Sequence, residues 1–112
     1  MSAPINNFSE YRARIDRVAG ILKDNFHLFL EWNIIKKPED IKDWLSEESA
    51  EMIVAMQHFY RGRVGEAEVT EELVDTMICM IQLAIAVGSK DFAGMLQKKL
   101  DKAKLRMENA KG

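Results

Sequence analysis

Residues 70–88 read TEELVDTMICMIQLAIAVG, and this stretch is the strongest indication of the fold class. From Leu73 to Val87 it is apolar almost all the way round, so a helix formed here must be covered on most sides. Thr70 is a suitable N-cap, and Gly88 is typical of the position just beyond a helix C-terminus. The pattern predicts a helix over about 71–88. One small domain offers few partner helices, so we expect a second subunit to cover the remainder.

Amphipathic segments on either side of this stretch predict the other helices. Apolar residues recur every three or four positions, which favours helices over about 8–30, 38–60 and 90–109. Gly20 weakens the middle of the first helix, and a kink or a break is compatible with it there. The polar segment 61–69 contains two glycines and is interpreted as a mobile loop. The fold class is therefore all-α, resembling a four-helix bundle.

Length, charge and cysteine content narrow the class of protein. The chain of 112 residues suits a single domain over 1–112, and its net charge of −2 argues against a nucleic-acid partner. The single cysteine, Cys79, sits in an apolar run and fits a buried position in a reducing compartment. The N-terminus lacks an apolar signal segment, and residues 73–87 are short for a bilayer span. We expect a cytoplasmic protein without a membrane partner.

Two pairs of acidic residues stand among apolar positions. Glu48 lies within the apolar stripe of the second predicted helix, and Glu51 follows one turn later on the same side. Glu72 and Asp75 repeat this spacing at the entrance to the third helix. If the two helices pack antiparallel, the pairs lie at comparable depths below the turn and can approach each other.

Carboxylates that converge in a partly buried site need a neutralising partner. Two like charges about 4 Å apart cost about 4 kcal/mol at an effective dielectric of roughly 20. Such a cluster persists if cations neutralise it or if some groups stay protonated. All-oxygen ligands suit magnesium or manganese, and the expected chemistry is metal-assisted attack of water on a phosphoryl group. Either pair alone is typical of a solvated helix face, whereas two pairs in this order favour a site.

The acidic segments also carry a family resemblance. Residues 47–51, EESAE, followed by residues 72–75, ELVD, resemble the E-E-x-x-E and E-x-x-D signature of the MazG-like all-α nucleotide pyrophosphohydrolases. The resemblance spans about 44–106, within a motif-bearing core of about 38–106, and implies a MazG fold that forms a homodimer or homotetramer. It implies Mg²⁺-dependent cleavage of a (d)NTP to a (d)NMP and pyrophosphate, with Mn²⁺ as a substitute ion, in nucleotide-pool housekeeping. The implied metal ligands are Glu48, Glu51, Glu72 and Asp75, and Glu47 is implied to orient or deprotonate the attacking water.

A basic stretch on the fourth predicted helix matches the family only in part. Members often carry K-x-x-x-N-x-x-R; here Lys99 and Arg106 match its ends, but Ala103 stands at the Asn position. The resemblance implies that Lys99, Lys102 and Arg106 contact substrate phosphates. A basic, solvated stripe on a terminal helix is the alternative.

Other functional classes fit the sequence less well. Phosphoribosyl-ATP pyrophosphohydrolases resemble the chain too, but Ile78-Cys79-Met80 replaces the Tyr-His pair expected in that branch. A di-iron carboxylate bundle would need a Glu-x-x-His element, which the site glutamates lack. A non-catalytic helical nucleotide-binding or interaction module stays open, because the third helix is so apolar and the basic motif is incomplete.

Overall fold

The structure, a computed structural model, describes residues 7–111, and these residues form five α-helices and no strand. The helices are α1 (Phe8–Asp24), α2 (Phe26–Ile35), α3 (Pro38–Tyr60), α4 (Glu66–Ala86) and α5 (Phe92–Lys111). The all-α prediction is confirmed, and α3 has the predicted bounds. The predicted domain limits of 1 and 112 lie outside the described residues.

The first predicted helix, about 8–30, is wrong as a single element. The break lies at Asn25, and α1 runs uninterrupted through Gly20. The side-chain amide of Asn25 donates to the backbone carbonyl of Ile21 at 2.9 Å, and the Asn25 backbone N–H donates to the same oxygen at 3.1 Å. These bonds satisfy a carbonyl that the helix end leaves without a partner, so the chain can turn there.

The start of α4 also differs from its prediction, because α4 begins at Glu66 and not at residue 71. The side chain of Glu68 accepts a hydrogen bond from the backbone N–H of Gly65 at 2.9 Å, which secures an earlier first turn. Thr70 is therefore inside the helix and donates to the backbone carbonyl of Glu66 at 2.9 Å. The connection between α3 and α4 shortens to residues 61–65, which requires the two helices to run antiparallel.

The end of α4 follows the prediction more closely. Gly88 adopts a left-handed φ of 70°, and the N–H of Ser89 donates back to the carbonyl of Ala84 at 2.9 Å. The carboxylate of Asp91 then accepts from the N–H of Gly94 at 3.0 Å and caps α5. The fourth predicted helix, about 90–109, is thus displaced to Phe92–Lys111.

The core lies where α2 and α3 pack against α4. Phe29, Ile41 and Cys79 are its buried apolar residues among those described. Gln82 is fully buried beside them, and its amide donates to the backbone carbonyl of Phe29 at 2.8 Å. This bond joins α4 to α2, so a polar contact helps to hold the small core together.

Much apolar surface stays uncovered in the single chain. Neither α1 nor α5 contributes a buried residue. Met80 of α4 is 52% exposed, and Val87, which follows α4, is 72% exposed. The chain exposes 9369 Å², whereas a folded monomer of this mass exposes about 6,300 Å². Its radius of gyration is 16.7 Å, against about 13 Å for a compact domain of this length. None of the described helices combines the length and apolarity needed to cross a membrane.

Candidate metal centre

Three glutamates from two helices meet at one point on the α3–α4 pair. One carboxylate oxygen from each of Glu48, Glu51 and Glu72 lies within 4.8 Å of the other two. Glu48 and Glu51 are on consecutive turns of α3, and Glu72 is near the start of α4. The antiparallel packing therefore brings together three of the four acidic residues that the sequence selected.

The burial of this cluster is uneven. Glu51 is exposed, but Glu48 and Glu72 are half-buried. The Oε2 atoms of Glu48 and Glu72 are buried and lack a hydrogen-bond donor among the described residues. Buried carboxylate oxygens without partners are costly, so these two atoms call for a cation or a proton.

Trp44 holds the other oxygen of Glu48. The indole N–H donates to Glu48 Oε1 at 3.0 Å, one helical turn away on α3. Trp44 is half-buried and packs edge-on against Trp32, with ring centroids 6.4 Å apart. This bond holds Oε1 of Glu48 against the indole, while Oε2 is the buried oxygen without a partner. Its four-residue spacing was visible in the sequence, where helical aromatics are more simply read as core.

Thr76 fixes the backbone around the cluster. Its hydroxyl donates to the Glu72 carbonyl at 2.9 Å and lies 3.4 Å from the Glu48 carbonyl. Thr76 is buried, being only 6% exposed. A single side chain thus contacts the backbone of both helices at the level of the carboxylates.

Burial and mutual repulsion set the protonation of the cluster. Loss of hydration raises the pKa of Glu72, and the neighbouring charges of Glu51, Asp75, Glu48 and Glu71 raise it further. Burial likewise raises the pKa of the Cys79 thiol to about 11, helped by Glu48 and Asp75 and opposed by Lys36. The negative field therefore extends from the carboxylates to the adjacent core.

The remaining predicted acids lie around this group. Asp75 is half-buried one turn after Glu72, and its charge is felt there, but it is outside the set of three converging carboxylates. Glu47 is exposed next to Glu48 and is also outside that set. Both residues are thus close along the chain to the cluster without being part of its closest contacts.

The predicted phosphate-binding residues are on α5, away from the carboxylates. Lys99, Lys102 and Arg106 are all exposed. Within residues 7–111, the main helix contacts are α3 with α4, α2 with α4, and α1 with α2, so α5 has no extensive packing partner. A single chain does not bring this basic stretch to the cluster.

A cavity opens beside the cluster, between α3 and α4. It has a volume of about 460 Å³, and Glu51 and Glu72 form part of its wall together with His58, Glu68 and Glu71. The cavity has room for part of a small molecule next to the carboxylates. The wall also contains Ala50, Val54, Ala55 and Val64, so the cavity combines carboxylates with apolar surface.

Comparison with known proteins finds no family model, no curated protein and no solved structure that matches the chain. A functional interpretation therefore starts from the side chains themselves. Among them, the three converging glutamates with two unpartnered buried oxygens are the most specific feature.

Proposed function

We propose that the chain is a Mg²⁺-dependent nucleoside triphosphate pyrophosphohydrolase that converts a (d)NTP to a (d)NMP and pyrophosphate. The convergence of Glu48, Glu51 and Glu72 from two helices is the observation that carries the proposal. The resemblance of residues 47–51 and 72–75 to the MazG-like signature supports it. The proposal places the enzyme in the cytoplasm, in nucleotide-pool housekeeping, without a nucleic-acid or membrane partner.

The chemistry of the side chains fits a hard divalent cation. The donors are all carboxylate oxygens, which suit Mg²⁺, with Mn²⁺ as a substitute. The unpartnered Oε2 atoms of Glu48 and Glu72 supply buried negative charge that a cation would neutralise. In this proposal Glu48, Glu51, Glu72 and Asp75 hold the ion. The ion, when bound, supplies charge neutralisation and lowers the pKa of bound water.

The chain's own residues orient the reactants. Glu47 is exposed next to Glu48 and is proposed to align the attacking water and accept its proton. The water oxygen bonds to a phosphorus atom of the bridge between the α- and β-phosphates. The P–O bond from that phosphorus to the bridging oxygen breaks, which separates the monophosphate from pyrophosphate. The cavity beside Glu51 and Glu72 is proposed to receive part of the substrate.

The amount of exposed surface supports assembly into a homodimer or homotetramer. The chain exposes about 3,000 Å² more than a folded monomer of its mass, and an obligate interface removes about 1,000–2,500 Å² from each partner. In such an assembly, Lys99, Lys102 and Arg106 of one copy would approach the carboxylates of another. Light scattering on the purified protein tests this, and a monomer at all concentrations contradicts it.

Product analysis tests the proposed activity. We expect a panel of NTPs and dNTPs with Mg²⁺ to yield monophosphate and pyrophosphate, and Glu48→Gln to abolish turnover while helix content is kept. Glu39→Gln is the matched control, because Glu39 is an exposed carboxylate on the same helix. Release of orthophosphate alone would contradict the proposed bond cleavage.

A non-catalytic helical nucleotide-binding or interaction module is the second candidate. The observation that favours it is the separation of the basic stretch of α5 from the carboxylates within one chain. Binding of Mg²⁺ and nucleotide by calorimetry, without turnover of any substrate in the panel, would support this candidate over the enzyme.

A further inference from the structure

Lys36 occupies an unusual position for a surface lysine. It lies in the connection between α2 and α3, and its Nζ atom is 5.0 Å from the centroid of the Trp44 ring. The same indole donates its N–H to Glu48 Oε1. Trp44 therefore contacts a cation with its face and a cluster carboxylate with its edge.

The ammonium of Lys36 has no carboxylate partner among the described residues. The two ion pairs within residues 7–111 join Arg14 to Glu10 and Lys42 to Asp43. A lysine ammonium has three N–H donors. Its contact with an aromatic face is an electrostatic attraction and leaves N–H donors free for hydrogen bonds. Lys36 is thus held in place while its donors are available to an anion.

Lys36 shares its surroundings with the acidic cluster. Its charge acts on Cys79, the same thiol that the charges of Glu48 and Asp75 reach from α3 and α4. Lys36 and Glu48 also contact the same indole ring, so the cation and this carboxylate lie close together. The basic residues of α5 are not packed there within one chain.

We propose that Lys36 contacts a phosphate of the substrate, and that Trp44 is a positioning residue that holds Lys36 and Glu48 in a fixed relation. This inference rests on the proposed function, since it assumes that a phosphate-bearing ligand meets cations at the carboxylates. Lys36 is not among the phosphate contacts that the family resemblance implies. It lies in the same chain as the cluster and contacts Trp44, which bonds to Glu48.

The physical reason is pre-organisation of two opposite charges. A lysine side chain loses considerable rotamer freedom when it binds a phosphate. A side chain that already contacts an indole ring loses less of that freedom. Mg²⁺ is strict about the placement of its ligands. A carboxylate that a hydrogen bond already restrains loses less conformational freedom when the ion binds. Trp44 provides both restraints from one rigid ring.

Calorimetry with inorganic tripolyphosphate, in the presence of Mg²⁺, tests the role of Lys36. We expect Lys36→Met to weaken tripolyphosphate binding about tenfold, the size of a lost hydrogen bond to a charged group. Lys36→Arg should recover most of the loss, because the charge and the ring contact are kept. Lys37→Met is the matched control, since Lys37 is the exposed neighbouring lysine and should bind like the wild type.

Titration with Mg²⁺ alone tests the role of Trp44. Trp44→Phe keeps an aromatic ring and removes the N–H donor, so we expect Mg²⁺ affinity to fall about tenfold. Lys36→Met should not weaken Mg²⁺ binding, because it removes a positive charge near the carboxylates. If Trp44 were only a packing residue, Trp44→Phe would lower the thermal midpoint and leave Mg²⁺ affinity as in the wild type, which would overturn the positioning role.

The outcomes separate this inference from the proposed function. Equal tripolyphosphate affinity in Lys36→Met and wild type, with nucleotide turnover intact, overturns the Lys36 contact and leaves the enzyme proposal standing. Weakened binding in Lys36→Met without turnover in the wild type supports the contact and contradicts the enzyme proposal. A wild-type protein that binds neither Mg²⁺ nor tripolyphosphate overturns both.

Discussion

The hydroxyl of Thr76 lies 3.4 Å from the backbone carbonyl oxygen of Glu48, although the two residues are on different helices. Within its own helix the same hydroxyl donates to the carbonyl of Glu72. A register shift between α3 and α4 would break the longer contact and separate the carboxylates at the same time. The geometry of the cluster therefore depends on a buried threonine that is not itself a proposed metal ligand.

Replacement of Thr76 by valine tests this dependence. The substitution keeps the shape and removes the hydroxyl, so we expect a loss of about 1 kcal/mol in the free energy of unfolding, measured with urea. Mg²⁺ affinity should fall as well, because the two helices lose a contact at the cluster. Thr70→Val is the control, since Thr70 is exposed on the same helix and bonds only to Glu66. Equal effects of the two substitutions on Mg²⁺ affinity would contradict the role assigned to Thr76.

Binding of a divalent cation should appear as thermal stabilisation. A ligand present at about 100 times its dissociation constant stabilises the folded state by about 2.7 kcal/mol. We expect Mg²⁺ to raise the melting temperature of the wild type relative to EDTA, and Glu48→Gln to remove most of this gain. The exposed Glu39→Gln variant should respond to Mg²⁺ as the wild type does. A Mg²⁺ response that persists unchanged in Glu48→Gln would place the cation elsewhere.

The sequence predicted those features that depend on local spacing. The recurrence of apolar residues every three or four positions, together with capping residues, predicted the α-helical class and the bounds of α3. The spacing of the acidic residues selected the three glutamates that converge. The N-cap signal at Thr70 was misleading, because Glu68 bonds to the backbone of Gly65 and starts α4 earlier. The break at Asn25 was missed, since it depends on a side-chain bond to Ile21 that competes with helix continuation.

Relations between separate elements were not accessible from the sequence. The contact of Lys36 with Trp44 joins a connecting segment to a helix face, and no spacing in the sequence predicts it. The exclusion of Asp75 from the closest carboxylate group depends on how α4 is rotated against α3. The position of α5 depends on packing, and its apolar side finds little to pack against in one chain.

The stability of the metal-free protein should change with pH through Glu72. Its pKa is raised from the ordinary 4.5, chiefly by burial, so the folded state keeps this proton to a higher pH than the unfolded state. The unfolded chain then binds fewer protons, and stability falls as pH rises from about 4.5 through the folded-state pKa. We expect urea midpoints in EDTA to show this decline in the wild type relative to Glu72→Gln. A wild-type midpoint that stays level or rises with pH relative to that of Glu72→Gln would contradict the raised pKa.

The thiol of Cys79 should resist modification until the protein unfolds. It is fully buried, and its pKa is raised to about 11, first by burial and then by Glu48 and Asp75. The reactive thiolate is therefore scarce and inaccessible at pH 8, and we expect slow reaction with a disulfide reagent that becomes fast in urea. A suitable control is Val87→Cys in a Cys79→Ala background, because residue 87 is exposed just after α4 and should react at once. Rapid modification of native Cys79 would show that the core where α2 and α3 pack against α4 opens readily, and it would contradict the burial of this thiol.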